Sequence, residues 1–184
     1  MLPKQLSLTD GTIVKLCPTD KPLYCSKQGR FYSLHNAILT DDGWILHEVK
    51  PSFAPRRRRG KWKSSNGISG SQYPTMRHFG SKHCHNLMAR TWLGPRPKGM
   101  EIDHLNGNIL DWSLDNLQYV TPAENRKRAK LLRILRSIGR DPRSMSRAEL
   151  LDIFNKYDFG NPPEKKKFRQ KVSFICRNII RRPN

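Results

Sequence analysis

No Lys or Arg occurs between residues 101 and 125, and no Asp or Glu occurs between residues 51 and 100. The chain as a whole is strongly basic, because its 184 residues include 35 Lys and Arg but only 15 Asp and Glu, a formal net charge of +20. A surplus of this size destabilises a compact chain through self-repulsion unless a polyanion neutralises it. Nucleic acid is the polyanion that such basic chains most often bind, so binding to nucleic acid is expected.

Long apolar runs and paired cysteines are also missing. Only 36% of the residues are hydrophobic, and no run reaches the roughly 18 apolar residues that a membrane-spanning helix needs. The N-terminus has no apolar stretch followed by a small-residue cleavage site, so the sequence predicts a cytoplasmic protein without membrane attachment. The cysteines form no C-x-x-C pair, which argues against a zinc ribbon and favours scattered, reduced, buried thiols; they are Cys17, Cys25, Cys84 and Cys176.

The first eighty residues are predicted to be rich in β-structure and to include a basic arm. β-forming residues flank Gln28-Gly29, as in a hairpin, and residues 43–49 (GWILHEV) continue as a strand. Between residues 51 and 74, Pro, Gly and Ser surround a run of four arginines. Such a run is ordinarily a solvated tail, but interleaved aromatic and basic side chains favour contacts with nucleic acid. The residues predicted to make these contacts are Arg56, Arg57, Arg58, Arg59, Lys61, Trp62, Lys63 and Arg77.

Four stretches have helix signals. Residues 85–94 place apolar side chains at helical spacing and end at Gly94, and His85 at their start is more simply a structural histidine than a functional one. Thr121 and Ser146 are each followed three residues later by Glu, which is the capping-box pattern. Residues 161–182 repeat the same signals after Asn161. The last helices are compatible with a helix-turn-helix, although generic helical packing explains the pattern equally well.

Residues 101–125 indicate a strand, a turned loop, a second strand and the start of a capped helix. Asp103 and His104 lie on the first strand, and Asn125 lies in the first turn of the helix. Oxygen ligands on a strand and a helix can hold a hard divalent cation, which prefers carboxylate, amide and phosphate oxygens. An imidazole beside that cation can accept a proton from water near neutral pH. A cation, a base and basic flanks are the parts that phosphodiester hydrolysis needs.

The other conspicuous side chains of this stretch have a simpler interpretation. Asn and Asp favour turns because their side chains hydrogen-bond to the nearby backbone. Turn formation therefore accounts for Asn106, Asn108, Asp111 and Asp115, and Trp112 is expected to pack the loop.

At these residues the sequence resembles the HNH nucleases, in particular the HNN-type endonucleases encoded by phages and mobile introns. The resemblance rests on EIDHLNGN (residues 101–108), on Asn116 twelve residues after His104, and on Asn125 nine residues further. It extends over about residues 24–130 and is most specific in the motif itself.

The resemblance implies a ββα-metal motif in which Asp103 and Asn125 bind one divalent metal, Mg²⁺ or Mn²⁺. It also implies that His104 is the general base and that Asn116 orients His104 by holding the loop with hydrogen bonds. The last motif position is Asn125 instead of the histidine of many members, and an amide favours oxygen-preferring metals over zinc. Two further residues on the following helix are expected to contact DNA: Arg126 and Arg128.

The expected fold class is α+β, with an N-terminal β-rich arm, a central ββα-metal nuclease motif and a helical C-terminal region. The corresponding domains are a basic DNA-binding region over residues 1–80, the nuclease core over residues 81–130 and a basic helical DNA-binding region over residues 131–184. The expected function is site-specific nicking or homing-type cleavage of double-stranded DNA. One motif gives one site, so a monomer is expected, with a dimer only for double-strand cleavage. The alternative is a non-catalytic DNA- or RNA-binding protein on a degenerate HNH scaffold.

Overall fold

The structure is a computed structural model, and the parts of the chain that it describes are residues 2–52, 73–80 and 82–156. Their contacts divide them into two compact units. The N-terminal unit contains the described residues up to Arg96 together with residues 109–117. The C-terminal unit contains residues 97–108 and the described residues from Gln118 onward.

Five antiparallel strands dominate the N-terminal unit and pair in the order in which they follow one another along the chain. They are β1 (Gln5–Ser7), β2 (Ile13–Leu16), β3 (Leu23–Ser26), β4 (Phe31–Thr40) and β5 (Gly43–Val49). The hairpin predicted at Gln28-Gly29 is confirmed, because that turn joins β3 to β4. The strand predicted over residues 43–49 is β5.

The sheet curls so that its two outer strands meet. Leu8, just after β1, forms a parallel bridge with Trp44 of β5, and the Thr9 N–H donates to the Trp44 carbonyl at 3.2 Å. A bulge in β4 between Ser33 and Ile38 supplies part of the bend. The curled sheet encloses a small apolar core of Leu6, Leu8, Val14, Tyr24 and Tyr32.

A short helix completes the N-terminal unit. Two short strands, β6 (Thr75–Met76) and β7 (Lys82–His83), pair with each other and lead into α1 (Cys84–Trp92). The predicted helix over residues 85–94 is thus confirmed, and its apolar side chains are buried, Met88 among them. Burial raises the pKa of the Cys84 thiol to about 12. The three described cysteines are buried free thiols, as expected: Cys17, Cys25 and Cys84.

Residues 109–117 dock onto the N-terminal unit through the loop tryptophan that the sequence singled out. The Trp112 Nε1–H donates to the Gly29 carbonyl at 2.8 Å, and the Leu114 N–H donates to the Lys27 carbonyl at 2.8 Å. Gly29 has φ of +88°, and a Cβ at that position would lie 2.9 Å from the indole of Trp112. A glycine is therefore required there both for the turn and for the close approach of the ring.

The C-terminal unit contains the strand, strand and helix that the motif predicts. β8 (Glu101–His104) and β9 (Leu117–Val120) form a two-stranded sheet, which is followed by α2 (Pro122–Ser137) and α3 (Arg147–Lys156). The leucine stripe predicted on α2 packs against α3 and against the residue that follows β8. This core consists of Leu105, Leu131, Leu132, Leu135, Leu150, Ile153 and Phe154.

Both predicted capping boxes in the C-terminal unit are present. The Thr121 hydroxyl accepts from the Glu124 N–H, and the Glu124 carboxylate accepts from the Thr121 N–H. Ser146 and Glu149 make the same reciprocal pair at α3. These bonds satisfy backbone donors that the first helical turn otherwise leaves without partners, and they fix where α2 begins relative to β9.

The C-terminal core should be sensitive to truncation. Leu135 is fully buried, so Leu135→Ala is expected to lower the free energy of unfolding of this unit by about 2–5 kcal/mol, through lost apolar burial and a residual cavity. Urea unfolding followed by circular dichroism measures this loss. Leu110, which is 51% exposed, provides the control, and Leu110→Ala should change stability by less than about 0.5 kcal/mol. Equal effects of the two substitutions would contradict the assigned core.

The capping boxes also predict an acid-sensitive C-terminal unit. Hydrogen bonds from Thr121 and from Ser146 hold the pKa of Glu124 and of Glu149 below the ordinary value of 4.5. A carboxyl with a lowered folded-state pKa stabilises the fold above its unfolded pKa, and this stability is lost as the pH falls through the folded value. Glu149→Gln should therefore flatten the decline in stability below about pH 4.5 in urea unfolding, whereas Glu48→Gln, on an exposed position of β5, should not.

The overall architecture confirms the expected α+β class with a β-rich N-terminal region, and the described residues contain three α-helices. No helix in the described residues is long and apolar enough to cross a membrane. The further helix predicted over residues 161–182 lies outside the described residues. The domain boundaries at residues 80 and 130 stay predictions.

Candidate functional site

Strand β8 buries the acid-histidine pair of the motif. Asp103 is 6% exposed and His104 is 7% exposed. The next residue, Leu105, is inserted into the core formed with α2 and α3, which anchors the end of the strand. Two polar side chains contact the same Asp103 oxygen, because Gln118 Nε2 of β9 and Arg128 Nη1 of α2 each lie 3.2 Å from Oδ2. The carboxylate thus contacts both β9 and α2.

Burial and a neighbouring cation have opposite effects on the pKa of the Asp103 carboxyl group. Burial raises the pKa of Asp103, and the Arg128 guanidinium opposes that rise. The ion pair is itself enclosed, since the Arg128 and Asp103 side chains are 14% and 7% exposed. A buried carboxylate of this kind requires a cation or several hydrogen-bond donors to stay ionised. The site is therefore built to hold positive charge against Asp103 Oδ2.

Asn125 lies in the first turn of α2, where the capping box fixes the backbone. Its N–H donates to the Thr121 carbonyl at 2.9 Å as the first regular helical bond. Its side-chain Nδ2 donates to Glu101 Oε2 at 2.7 Å. Glu101 opens β8 two residues before Asp103, so its side chain leaves the strand on the same face as that of Asp103. Asn125 is thereby tied to the strand that also contains the acid.

A tight turn follows β8 immediately. The Gly107 N–H donates to the His104 carbonyl at 2.7 Å, and the Asn108 N–H donates to Asn106 Oδ1 at 2.8 Å. Gly107 has φ of +67°, and a Cβ there would approach Leu132 Cδ1 to 3.0 Å. The glycine is therefore required by the backbone and by its closeness to α2, and the turn chemistry predicted for this asparagine pair agrees with the structure.

Asn116 belongs to the other unit. It lies in the docked segment 109–117, is buried, and donates from Nδ2 to the Asp111 carbonyl at 2.7 Å. This bond holds the loop, which is one part of the role that the resemblance implies. Its action on the orientation of His104 stays a prediction.

The predicted DNA-contacting residues fall into three groups. Arg126 is exposed on α2, and Arg77 is exposed on a single helical turn of the N-terminal unit. Arg128 instead pairs with Asp103, and its guanidinium lies 5.0 Å from the ring centroid of Phe154. The remainder lie outside the described residues: Arg56, Arg57, Arg58, Arg59, Lys61, Trp62 and Lys63.

Sequence reasoning missed two polar residues of the site, Glu101 and Gln118. Neither residue is among those to which the sequence assigns a catalytic or metal-binding role. Period-two alternation along the strands contained a signal for both, because Glu101 and Asp103 share a face of β8. The partners themselves depend on the pairing of β8 with β9 and on the start of α2, which a one-dimensional pattern does not specify.

The donors present suit a hard divalent cation better than zinc. No group of three His, Cys, Asp and Glu side chains within residues 2–52, 73–80 and 82–156 is placed to hold a metal ion. Asp103 offers a carboxylate and Asn125 an amide, which are oxygen ligands of the type that Mg²⁺ and Mn²⁺ use together with water and phosphate. Asp103 is paired with Arg128, so a metal ion bound to this carboxylate would compete with the guanidinium.

Comparisons with known proteins agree with the motif. Residues 82–127 match the family model described as HNH endonuclease. A Bacillus subtilis protein derived from the SPbeta prophage, YosQ, which is named as a candidate HNH homing endonuclease, is 32% identical over 71 residues, or 39% of this chain and 41% of YosQ. Protein 3.8 of Escherichia phage T7 is 56% identical over 32 residues, or 17% of this chain and 26% of the phage protein.

These similarities are confined to part of each protein. The chain spans less than half the length of either of these two curated relatives. No solved structure matches the chain significantly. The matched segment, however, includes α1, β8, β9 and the first turn of α2, and thus every residue of the motif. The resemblance found in the sequence is confirmed, because residues 82–127 match the HNH endonuclease family model and a relative named for that family is similar to part of the chain.

Proposed function

We propose that this chain is a metal-dependent endonuclease that nicks double-stranded DNA at a single active site in its C-terminal unit. The observation that supports this most strongly is the buried carboxylate of Asp103, with His104 next to it and Arg128, in the second turn of α2, paired with it. A buried acid that requires a cation costs stability. Such a cost is typical of functional sites.

Each motif residue has a separate task in the proposed reaction. His104 accepts a proton from the water whose oxygen attacks the phosphorus, while the bond from phosphorus to the leaving oxygen breaks. Its enclosure by the fold, at 7% exposure, limits the positions that the imidazole can take, so the base is oriented before DNA arrives. The short turn through Gly107 fixes the strand end that presents it.

Asp103 and Asn125 would hold one Mg²⁺ or Mn²⁺. The ion, when bound, would stabilise the negative charge that develops on the phosphate and the leaving oxygen. The absence of Lys and Arg from residues 101–125 is consistent with this role, because a cationic side chain in the motif would compete for Asp103. Arg128 lies one helical turn beyond Asn125 and is placed to exchange its carboxylate partner for a DNA phosphate.

One site per chain predicts single-strand cleavage by a monomer. Purified protein should convert supercoiled plasmid to the open circular form in Mg²⁺ or Mn²⁺ and should leave it intact in EDTA. Linear product should appear only when two chains act on the same site, so its yield should rise with the square of protein concentration. The amounts of open circular and linear plasmid on agarose gels, followed over a titration of protein, measure both expected results.

A non-catalytic nucleic-acid-binding protein on the same scaffold is the competing function. Binding to DNA that persists in EDTA, with supercoiled plasmid uncut in every divalent metal tested, would favour that function over nicking. The target sequence is a separate matter, since specificity depends on contacts with base edges and on DNA deformation. Cleavage mapping on a randomised DNA library identifies it.

A further inference from the structure

Glu101 makes the contact that links β8 to the amide of the motif. The distance from Asn125 Nδ2 to Glu101 Oε2 is 2.7 Å, which is short for an N–H···O bond and typical of one in which the acceptor is ionised. Glu101 is not one of the motif residues to which the resemblance assigns a role. The bond has a consequence for the amide, because an amide has a donor end and an acceptor end.

We propose that Glu101 is a positioning residue that selects the metal-binding orientation of Asn125, an inference that rests on the proposed function. Only the Oδ1 end of the amide can bind a cation, and a rotation by 180° would present Nδ2 instead. Because Nδ2 donates to Glu101, Oδ1 is directed away from Glu101 and is the end left to bind a cation. Glu101 and Asp103 leave the same face of β8, so one strand supplies both the ligand and the residue that orients the second ligand.

The exposure of the two side chains makes such a device necessary. Glu101 is exposed and Asn125 is half-buried, so the surrounding atoms alone do not restrict rotation of the amide. A carboxylate accepts from Nδ2 and repels Oδ1, and it therefore discriminates between the two orientations in both directions. Partners that orient metal ligands typically change metal affinity by about 10- to 100-fold when they are removed.

Mn²⁺ binding measured by electron paramagnetic resonance tests this inference without DNA or turnover. Glu101→Ala should weaken Mn²⁺ binding by about 10-fold or more, and Glu101→Gln should restore part of the affinity, since its carbonyl still accepts from Nδ2. Asp152→Ala, which removes a half-buried acid of α3 paired with Lys156, should leave Mn²⁺ affinity unchanged. Thermal unfolding of each variant checks that the fold is retained.

The same Glu101→Ala substitution made in an Asn125→Asp protein distinguishes an effect on the orientation of the amide from a simple loss of charge or structure. Asn125→Asp replaces the amide by a carboxylate, which has no donor for Glu101 and is repelled by it. In that background Glu101→Ala should strengthen Mn²⁺ binding, so the effect changes sign. A weakening of similar size in both backgrounds would overturn the positioning role. Wild type that binds Mn²⁺ normally, together with an unaffected Glu101→Ala, would overturn this inference alone, whereas wild type that binds no Mn²⁺ would overturn the proposed function with it.

A different observation concerns the N-terminal unit, where two lysines converge on one tryptophan. The Lys15 ammonium of β2 lies 4.5 Å from the ring centroid of Trp92, and the Lys27 ammonium, in the turn after β3, lies 5.5 Å from it. Neither lysine belongs to the ion pairs found in the described residues, which join Arg128 to Asp103 and Lys156 to Asp152. The ring attracts each cation, so two positive charges are held at one indole.

We infer that Lys15, Lys27 and Trp92 form a clamp for a DNA backbone phosphate. Two ammonium groups held at one indole can each pair with a phosphate oxygen, and the net charge of +20 makes a polyanion the partner. The clamp has a firm base, because β2 pairs with β3 and the Lys27 carbonyl accepts from Leu114. The contacts of the two ammonium groups with the indole restrict the lysine side chains, which lowers the entropy that each phosphate contact costs. The inference rests on the DNA substrate of the proposed function.

The salt dependence of DNA binding tests this clamp. Each phosphate contact contributes about 0.9 to the slope of log affinity against log salt concentration. Lys15→Ala with Lys27→Ala should therefore reduce that slope by about 1–2 in fluorescence anisotropy titrations in EDTA, and Lys15→Arg with Lys27→Arg should retain it. An unchanged slope for the double alanine variant would overturn the clamp while leaving the nuclease site untouched. If the wild-type protein shows no salt-dependent binding to DNA, the proposal that DNA is its substrate is overturned as well.

Discussion

Alanine in place of His104 is expected to reduce plasmid nicking by about 10²- to 10⁴-fold while DNA affinity stays within a factor of two or so. The imidazole is the group next to Asp103 that can accept a proton near neutral pH. It is enclosed at the end of β8, so no exposed side chain can readily take its place. Single-turnover cleavage with protein in excess over plasmid measures the chemical step apart from binding.

A matched histidine controls for general effects of losing an imidazole. His47 lies on an exposed position of β5 in the N-terminal unit, and His47→Ala should cleave like wild type. If His104→Ala and wild type give the same single-turnover rate, the assignment of the base is wrong. If instead both rate and DNA affinity collapse together with the circular dichroism spectrum, the substitution has unfolded the unit, and His104→Gln should then be used for the same comparison.

Asparagine in place of Asp103 should abolish cleavage without destabilising the fold. The amide retains an oxygen that can accept from Arg128 and Gln118, which are both 3.2 Å from Oδ2 in the present structure. It lacks the negative charge that holds a divalent cation, so cleavage should fall by more than about 10²-fold and Mn²⁺ affinity should fall with it. Asp115→Asn, an exposed acid in the segment after the turn, should alter neither.

The change in the free energy of unfolding caused by Asp103→Asn is expected to have a definite sign. Burial raises the pKa of Asp103 above its ordinary value of 3.8, so the folded state above that raised pKa holds a buried charge that the unfolded chain keeps in water. The carboxylate therefore costs stability at neutral pH, and the cost disappears as the pH falls and the group becomes protonated. In EDTA at pH 7, urea unfolding should show the variant to be at least as stable as wild type, with the two curves converging at low pH. A clear loss of stability at pH 7 would contradict the assigned burial cost.

The parts of the fold that the sequence predicted are those governed by local chemistry. Thr121 with Glu124, and Ser146 with Glu149, identify the starts of α2 and α3 because a capping box is formed within four residues. The leucine stripe of α2 predicted its buried face, since helical periodicity alone determines which positions align. The hairpin at Gln28-Gly29 is likewise confirmed, because a two-strand turn depends on a few neighbouring residues.

The parts that escaped prediction depend on contacts between distant segments. The bridge from Leu8 to Trp44 curls the five-stranded sheet, and no local pattern indicates it. Trp112 was expected to pack the loop, but its partner, the carbonyl of Gly29, lies 83 residues earlier. The same limitation applies to the site. Asp103, His104 and Asn125 were identified from their order, whereas Glu101 and Gln118 became evident only once β8, β9 and α2 were together.

The single measurement that bears most directly on the proposed site is the number of Mn²⁺ ions bound per chain, determined alongside the nicking rate over one Mn²⁺ titration. We expect one ion per chain, with binding and nicking reaching half-saturation at the same concentration, and both lost in Asp103→Asn. Nicking that proceeds at full rate in EDTA, or a titration of Asp103→Asn that coincides with that of wild type, would show that this carboxylate holds no catalytic metal.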